Sequence, residues 1–252
     1  MTLDPQRVEL RGTPNRRLVA TWVEGGGRNA VVLVHGFTSD RFSRGRFPAL
    51  AARVAAEGIS SLAFDTAGCG ESDDAPLTLT GHVDDLRAAI ALARSRVKGE
   101  LALLGHSLGG KVALLGCRQD AAALVLTGAP LGPMRYDWRE HYSSDQLRAL
   151  NEQGTFIVER DEPLRKRWLI TRELLDSFDD TIDLAHVRAP TLLVFGDGDD
   201  EERRALALGR DALPKLPSGS LLEVIPGAPH GFGVKFDEAK KLAVDFLVAK
   251  LG

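Results

Sequence analysis

The chain has 252 residues, 44% of them hydrophobic and 27% charged, with a formal net charge of −3. These values exclude a disordered chain and leave room for one α/β domain or two small ones. The slightly acidic balance offers no basic field for nucleic acid, and two cysteines, Cys69 and Cys117, cannot build a disulfide framework or a cysteine-rich zinc site.

The polar start, residues 1–7, lacks the pattern of a secretory leader, and no apolar run nears the ~20 residues that span a membrane. A soluble, cytoplasmic protein is therefore expected. Residues 17–23 alternate well enough to predict an outer, antiparallel strand. Residues 31–34 form the first of several runs that are apolar at nearly every position. The others are residues 59–64, 101–104, 123–126, 191–195 and 221–225. Such runs suit strands buried on both faces, as in a parallel sheet covered by helices. Helical spacing predicts helices over residues 47–56, stopped by Gly58, and over residues 82–97, ending near Gly99. A short, almost wholly apolar helix is predicted at 108–117, and an amphipathic one at 236–251. Strands alternating with helices imply an open sheet with helices on both faces. Residues 131–187 break that alternation. They show no strand pattern and two helical ones, at 144–153 and 162–178, and so read as an insertion in a core made of residues 1–130 and 188–252.

The segment Gly105-His106-Ser107-Leu108-Gly109 matches G-x-S-x-G. It follows a predicted buried strand and opens a predicted helix, the context a nucleophile elbow requires. So sharp a turn has no room for side chains two residues either side of the serine, and the helix start aims free N–H groups at developing negative charge. A lone serine needs a base held by an acid. Of six histidines, His230 follows the last strand in a loop, while His106 adjoins the serine with its side chain turned away. His82, His141 and His186 read as helix-start or surface residues. The acid lies in Phe195-Gly-Asp197-Gly-Asp199-Asp200, after the penultimate strand. Asp199 is preferred and Asp197 stays open. The acids do not match a calcium loop, so neither a metal nor a cofactor is expected. The turn His35-Gly36-Phe37-Thr38 ends an earlier strand, and the backbone N–H groups of Phe37 and Leu108 are the candidate oxyanion donors.

Together these segments resemble the α/β-hydrolase superfamily nearly from end to end. The resemblance implies a mostly parallel eight-stranded sheet with helices on both faces and a helical cap at 131–187. It also implies a Ser107, Asp199, His230 triad. The segment Phe64-Asp65-Thr-Ala-Gly-Cys-Gly-Glu-Ser72 is similar to the family's FDxxGxGxS turn, which makes Asp65 a turn-holding acid. Ser107 stands where dehalogenases, epoxide hydrolases and dienelactone hydrolases of this fold carry an aspartate or a cysteine. Within the superfamily, the His35-Gly-Phe-Thr38 turn and the insertion resemble the cinnamoyl and feruloyl esterases. The implied activity is serine hydrolysis of a small-molecule carboxylic ester by a monomer or homodimer. A thioesterase or small-peptide hydrolase is the alternative, and a non-catalytic ligand-binding homologue is a third.

The insertion holds six of the 15 aromatic residues. Tyr136 and Trp138 within it, with His35 and Phe232 near the triad loops, are the candidate substrate contacts. They predict an apolar or aromatic acyl pocket.

Overall fold

The computed structural model describes residues 4–117 and 121–252. Residues 1–3 of the polar start lie outside the described residues. In chain order the first elements are β1 (Gln6–Arg11), β2 (Arg17–Val23), β3 (Ala30–Val34), α1 (Arg46–Ala56), β4 (Ser60–Phe64) and β5 (Pro76–Leu77). Then come α2 (Leu79–Arg96), β6 (Leu101–His106), α3 (Leu108–Gly116), β7 (Ala123–Thr127) and α4 (Ser144–Gln153). The chain ends with β8 (Thr155–Glu159), β9 (Arg167–Thr171), α5 (Arg172–Asp176), β10 (Thr191–Gly196), α6 (Asp200–Ala212), β11 (Leu221–Ile225) and α7 (Phe236–Leu251).

Eight strands make the main sheet, in the order β1-β2-β4-β3-β6-β7-β10-β11. Pairing is antiparallel for β1 with β2 and for β2 with β4, and parallel for the rest. The apolar runs are buried on both faces, as β3 illustrates. Ala30, Val32 and Val34 join one hydrophobic cluster with residues of α2, α3 and α6, whereas Val31 and Leu33 join a second with α1 and α7. Burying each such Val or Leu contributes about 1.5–3 kcal/mol. The strand at 17–23 is antiparallel as predicted but is not outermost, because β1 pairs along its free edge.

The winding reverses between β3 and β6. Strand β3 feeds β4 on one side, and the chain then returns to place β6 on the other. The C-terminal ends of β3 and β6 therefore open a crevice, where open α/β sheets bind ligands.

Residues 131–187 differ from the expectation. Helix α4 forms as predicted, with a Ser143–Gln146 capping box and left-handed Gly154 at its end. The predicted helix at 162–178 is instead strand β9 followed by the short α5. Strands β8 and β9 pair antiparallel, and β5 adds to β9 in parallel, giving a second sheet of three strands. The pattern has period two: Phe156 and Val158 point inward from β8, and Trp168 and Ile170 from β9. Helix α6 is not among the helices predicted from the spacing of apolar residues. Its buried residues are Glu202, Ala205, Leu206, Gly209 and Ala212, a helical stripe whose first position is a glutamate. Among the described residues no helix is long and apolar enough to cross a membrane.

Candidate active site

Ser107 sits between β6 and α3 with φ 55° and ψ −127°, a conformation rarely adopted by a residue with a side chain. The tightness of the turn explains its glycines. A Cβ on Gly105 would lie 2.3 Å from the Gly109 carbonyl oxygen, and one on Gly109 would lie 2.1 Å from that of Val34. The Ser107 N–H donates to Thr127 O at 2.8 Å, which ties the elbow to β7.

His230 Nε2 lies 2.9 Å from Ser107 Oγ, and His230 Nδ1 lies 2.7 Å from Glu202 Oε2. The carboxylate facing the imidazole is thus Glu202, not Asp199 or Asp197. This overturns the expected contact for a definite reason. Asp199 is the N-cap of α6: its Oδ1 accepts the Glu202 N–H at 2.8 Å, and its Oδ2 accepts the His230 backbone N–H at 2.7 Å. With both oxygens on amides, Asp199 ties the His230 loop to α6 while Glu202, one turn on, reaches the ring. Asp197 bonds the Gly227 N–H. The side chain of Glu202 is fully buried, and its other oxygen accepts the Gly196 N–H at 2.8 Å. The signal that could have found it is the Asp199-x-x-Glu202 spacing, which marks a helix start.

Burial alone would lower the His230 pKa, but the hydrogen bond to Glu202 and the charges of Glu201, Glu202 and Asp199 outweigh it and raise the value above 6.5. His106 is the opposite case. Burial, then the charges of Arg46 and His230, hold it well below 6.5 and therefore neutral. Its Nε2 lies 3.0 Å from Arg46 Nη1 and its Nδ1 lies 3.0 Å from Thr127 Oγ1. Arg46 is a donor only, so His106 Nε2 accepts and Nδ1 carries the proton.

A cavity of about 940 Å³ opens on Ser107 and His230, with Phe37, Arg46, Arg160 and Trp168 among its walls. Gly36 brings the turn after β3 against the elbow, since a Cβ there would lie 3.2 Å from Ser107 Cβ. The four expected substrate contacts are not among the lining residues. His35 is buried, with Nε2 accepting the Thr66 N–H at 3.2 Å. Tyr136 stacks on Trp138 with ring centroids 4.9 Å apart, and its hydroxyl donates to Glu201 Oε1 at 2.7 Å. Phe232 is buried near His106, with ring centroids 6.2 Å apart, and lines a separate, much smaller cavity. The insertion instead contributes Arg160, Glu162, Leu164, Arg165 and Trp168 to the main cavity. No cluster of His, Cys, Asp or Glu suited to a metal ion occurs among the described residues.

The sequence profile of the alpha/beta hydrolase family matches residues 31–243. The chain belongs to the alpha/beta hydrolase family. An uncharacterized protein of Mycobacterium tuberculosis is 29% identical to this alpha/beta hydrolase over 215 residues. That match takes in 82% of the chain but 64% of the longer relative. The Pyrococcus furiosus esterase PF2001 superposes with a TM-score of 0.72 at 18% identity, covering 99% of this chain and 92% of that one. Est1E of Butyrivibrio proteoclasticus, solved with ferulic acid, gives 0.73 at 17% identity, with 96% and 98% covered. The alpha/beta hydrolase GrgF of a Penicillium species gives 0.78 at 16% identity, with 98% and 99% covered. At these identities the structural likeness establishes the fold alone.

Proposed function

We propose that this alpha/beta hydrolase cleaves carboxylic esters through a covalent acyl-enzyme on Ser107. The observation that carries the reading is the continuous line from Ser107 Oγ through His230 to Glu202, with separations of 2.9 and 2.7 Å. His230 Nε2 takes the serine proton as Oγ attacks the ester carbonyl, then returns it to the departing alcohol. Glu202 accepts the Nδ1–H, holds the ring in the reactive tautomer and stabilises the imidazolium. The backbone N–H groups of Phe37 and Leu108 receive the oxyanion, each worth about 3–4 kcal/mol in reactions of this type. A water deprotonated by His230 then releases the acid.

Phe37, Trp168 and Phe236 in the cavity wall support acyl groups that are short or carry one aromatic ring, hydroxycinnamoyl esters included. A small-molecule ester fits a cavity of this size. The test is labelling with a fluorophosphonate probe alongside a panel of nitrophenyl, feruloyl and acyl-CoA substrates. Labelling and turnover lost together in Ser107→Ala bear the reading out. Labelling that persists in Ser107→Ala removes it, and preference for acyl-CoA moves the substrate to thioesters.

A further inference from the structure

The charged residues around the cavity are not all paired with one another. Four guanidinium groups line it, those of Arg44, Arg46, Arg160 and Arg165. Arg165 is neutralised by Asp74, and Arg44 has Glu162 at 3.9 Å. Arg46 and Arg160 have no carboxylate within 4 Å among the described residues. Arg46 bonds only neutral groups: His106 Nε2 at 3.0 Å, Ser43 O at 2.9 Å and Gly231 O at 3.3 Å. These contacts place its cation between the residue before Ser107 and the residue after His230. Arg160 Nη1 reaches Thr38 Oγ1 at 3.2 Å, in the turn that follows β3. The carboxylates of Asp40 and Glu201 also line the cavity, but Asp40 accepts the N–H groups of Phe42 and Ser43, and Glu201 accepts the Tyr136 hydroxyl.

The surroundings of Arg46 make its isolation sharper. It is the first residue of α1, where the helix dipole is positive, and the first turn of α1 holds no acidic residue. Burial and then the charge of Arg44 lower its pKa, with no carboxylate acting the other way. A half-buried guanidinium in such a place is a donor set without an anion.

We infer that Arg46 and Arg160 form an anion-binding subsite in the cavity of Ser107, and that the physiological ester carries a carboxylate or phosphate group. This rests on the ester-hydrolase reading above, with the bond cleaved and the proton transfers unchanged. The anion contributes binding and orientation, not chemistry.

The test compares three nitrophenyl esters of matched chain length: one acyl chain ending in a carboxylate, one ending in a phosphate monoester, and one capped as a neutral methyl ester. At low salt the wild type is expected to hydrolyse at least one anionic ester with kcat/KM about tenfold above the neutral one, the difference lying in KM. Sodium chloride at about 0.5 M should erode that preference, since exposed charges are screened within a few Å at such ionic strength. The better arm tells carboxylate from phosphate. Arg160→Gln, at an exposed position, and Arg46→Gln should each cut the anionic-to-neutral ratio about fivefold or more. Binding of glutarate and of inorganic phosphate to the Ser107→Ala protein, followed by calorimetry, reads the subsite without turnover and should weaken in Arg160→Gln. Equal rates on anionic and neutral esters, or a ratio that neither arginine variant moves, would overturn the inference while leaving ester hydrolysis standing. Loss of turnover on all three esters, with glutarate or phosphate still bound through Arg160, would remove the ester reading and keep the subsite.

Discussion

His230 and Glu202 are joined by a 2.7 Å contact between Nδ1 and Oε2, and the carboxylate involved is fully buried at the core-facing edge of a helix. Asp199 meets the same histidine only through its backbone. A charge that orients an imidazole acts on every proton transfer, whereas an N-cap acts on the stability of a helix and the position of a loop.

Glu202→Gln should therefore lower kcat by about 10³–10⁴-fold with the protein still folded, as expected when the ring loses its anionic acceptor. Asp199→Ala should lower it far less and cost about 1 kcal/mol of stability through the lost cap. Steady-state kinetics beside thermal melting separate the two. A greater loss of kcat in Asp199→Ala than in Glu202→Gln would return the acid role to Asp199.

The raised pKa of His230 has two consequences of opposite sense. Catalysis needs neutral Nε2, so activity should fall as pH drops, along an acid limb whose midpoint lies above 6.5. Folding favours the protonated ring. Its stabilising contribution is complete below 6.5 and fades as pH rises through the raised value. A pH profile of kcat/KM checks the first, and Glu202→Gln should move that limb to lower pH. An acid limb unmoved by this change would show that Glu202 is not the group that raises the His230 pKa.

Gly128, at φ +56°, backs the same pair. A Cβ there would lie 3.1 Å from Glu202 Oε2 and 3.1 Å from His230 Nδ1. Gly128→Ala should strain the backbone by about 1–2 kcal/mol and lower kcat more than tenfold by pushing the ring from the carboxylate. Denaturant melts and kinetics on one preparation test both effects, and wild-type kcat would show that the ring tolerates the push.

Asp65 is fully buried against Arg41, accepts the Arg41 N–H at 2.6 Å and the Glu71 N–H at 2.9 Å, and also takes the Arg41 guanidinium. Asp65→Ala would leave that buried guanidinium with Glu71 as its one carboxylate among the described residues, beside the Thr21 hydroxyl. A loss of about 3–5 kcal/mol is expected, measured by chemical denaturation. A loss below about 1 kcal/mol would mean that Glu71 suffices.

Tyr136 and Trp138 stack on each other, and both pack edge-on against Phe178. Tyr136→Ala and Trp138→Ala, at half-buried positions, should each destabilise the fold by about 1–3 kcal/mol without altering the order of preference among esters. A changed order would bring them back as substrate contacts.

Local rules account for what was legible in the chain. Apolar runs buried on both faces, glycines flanking a serine and a histidine after the last strand are each read within a few residues, and they anticipate the sheet; the structure has a tight turn at Ser107 and sets His230 2.9 Å from its hydroxyl. The pairing of β8 and β9 in residues 131–187, which β5 extends from outside that segment, leaves a weak trace in the sequence because both strands are short and α5 directly after β9 blurs their period-two pattern. The choice of carboxylate was a tertiary matter. Asp199 and Glu202 share the first turn of α6 while His230 lies in the loop after β11, and only the packing of α6 beside β10 turns residue 202 inward while capping occupies residue 199. The cavity wall was decided the same way. Tyr136, Trp138, Tyr142, Phe156 and Phe178 of the insertion pack on one another, and the wall around Ser107 is made instead by Trp168 with Arg46 and Arg160, which no linear pattern marks.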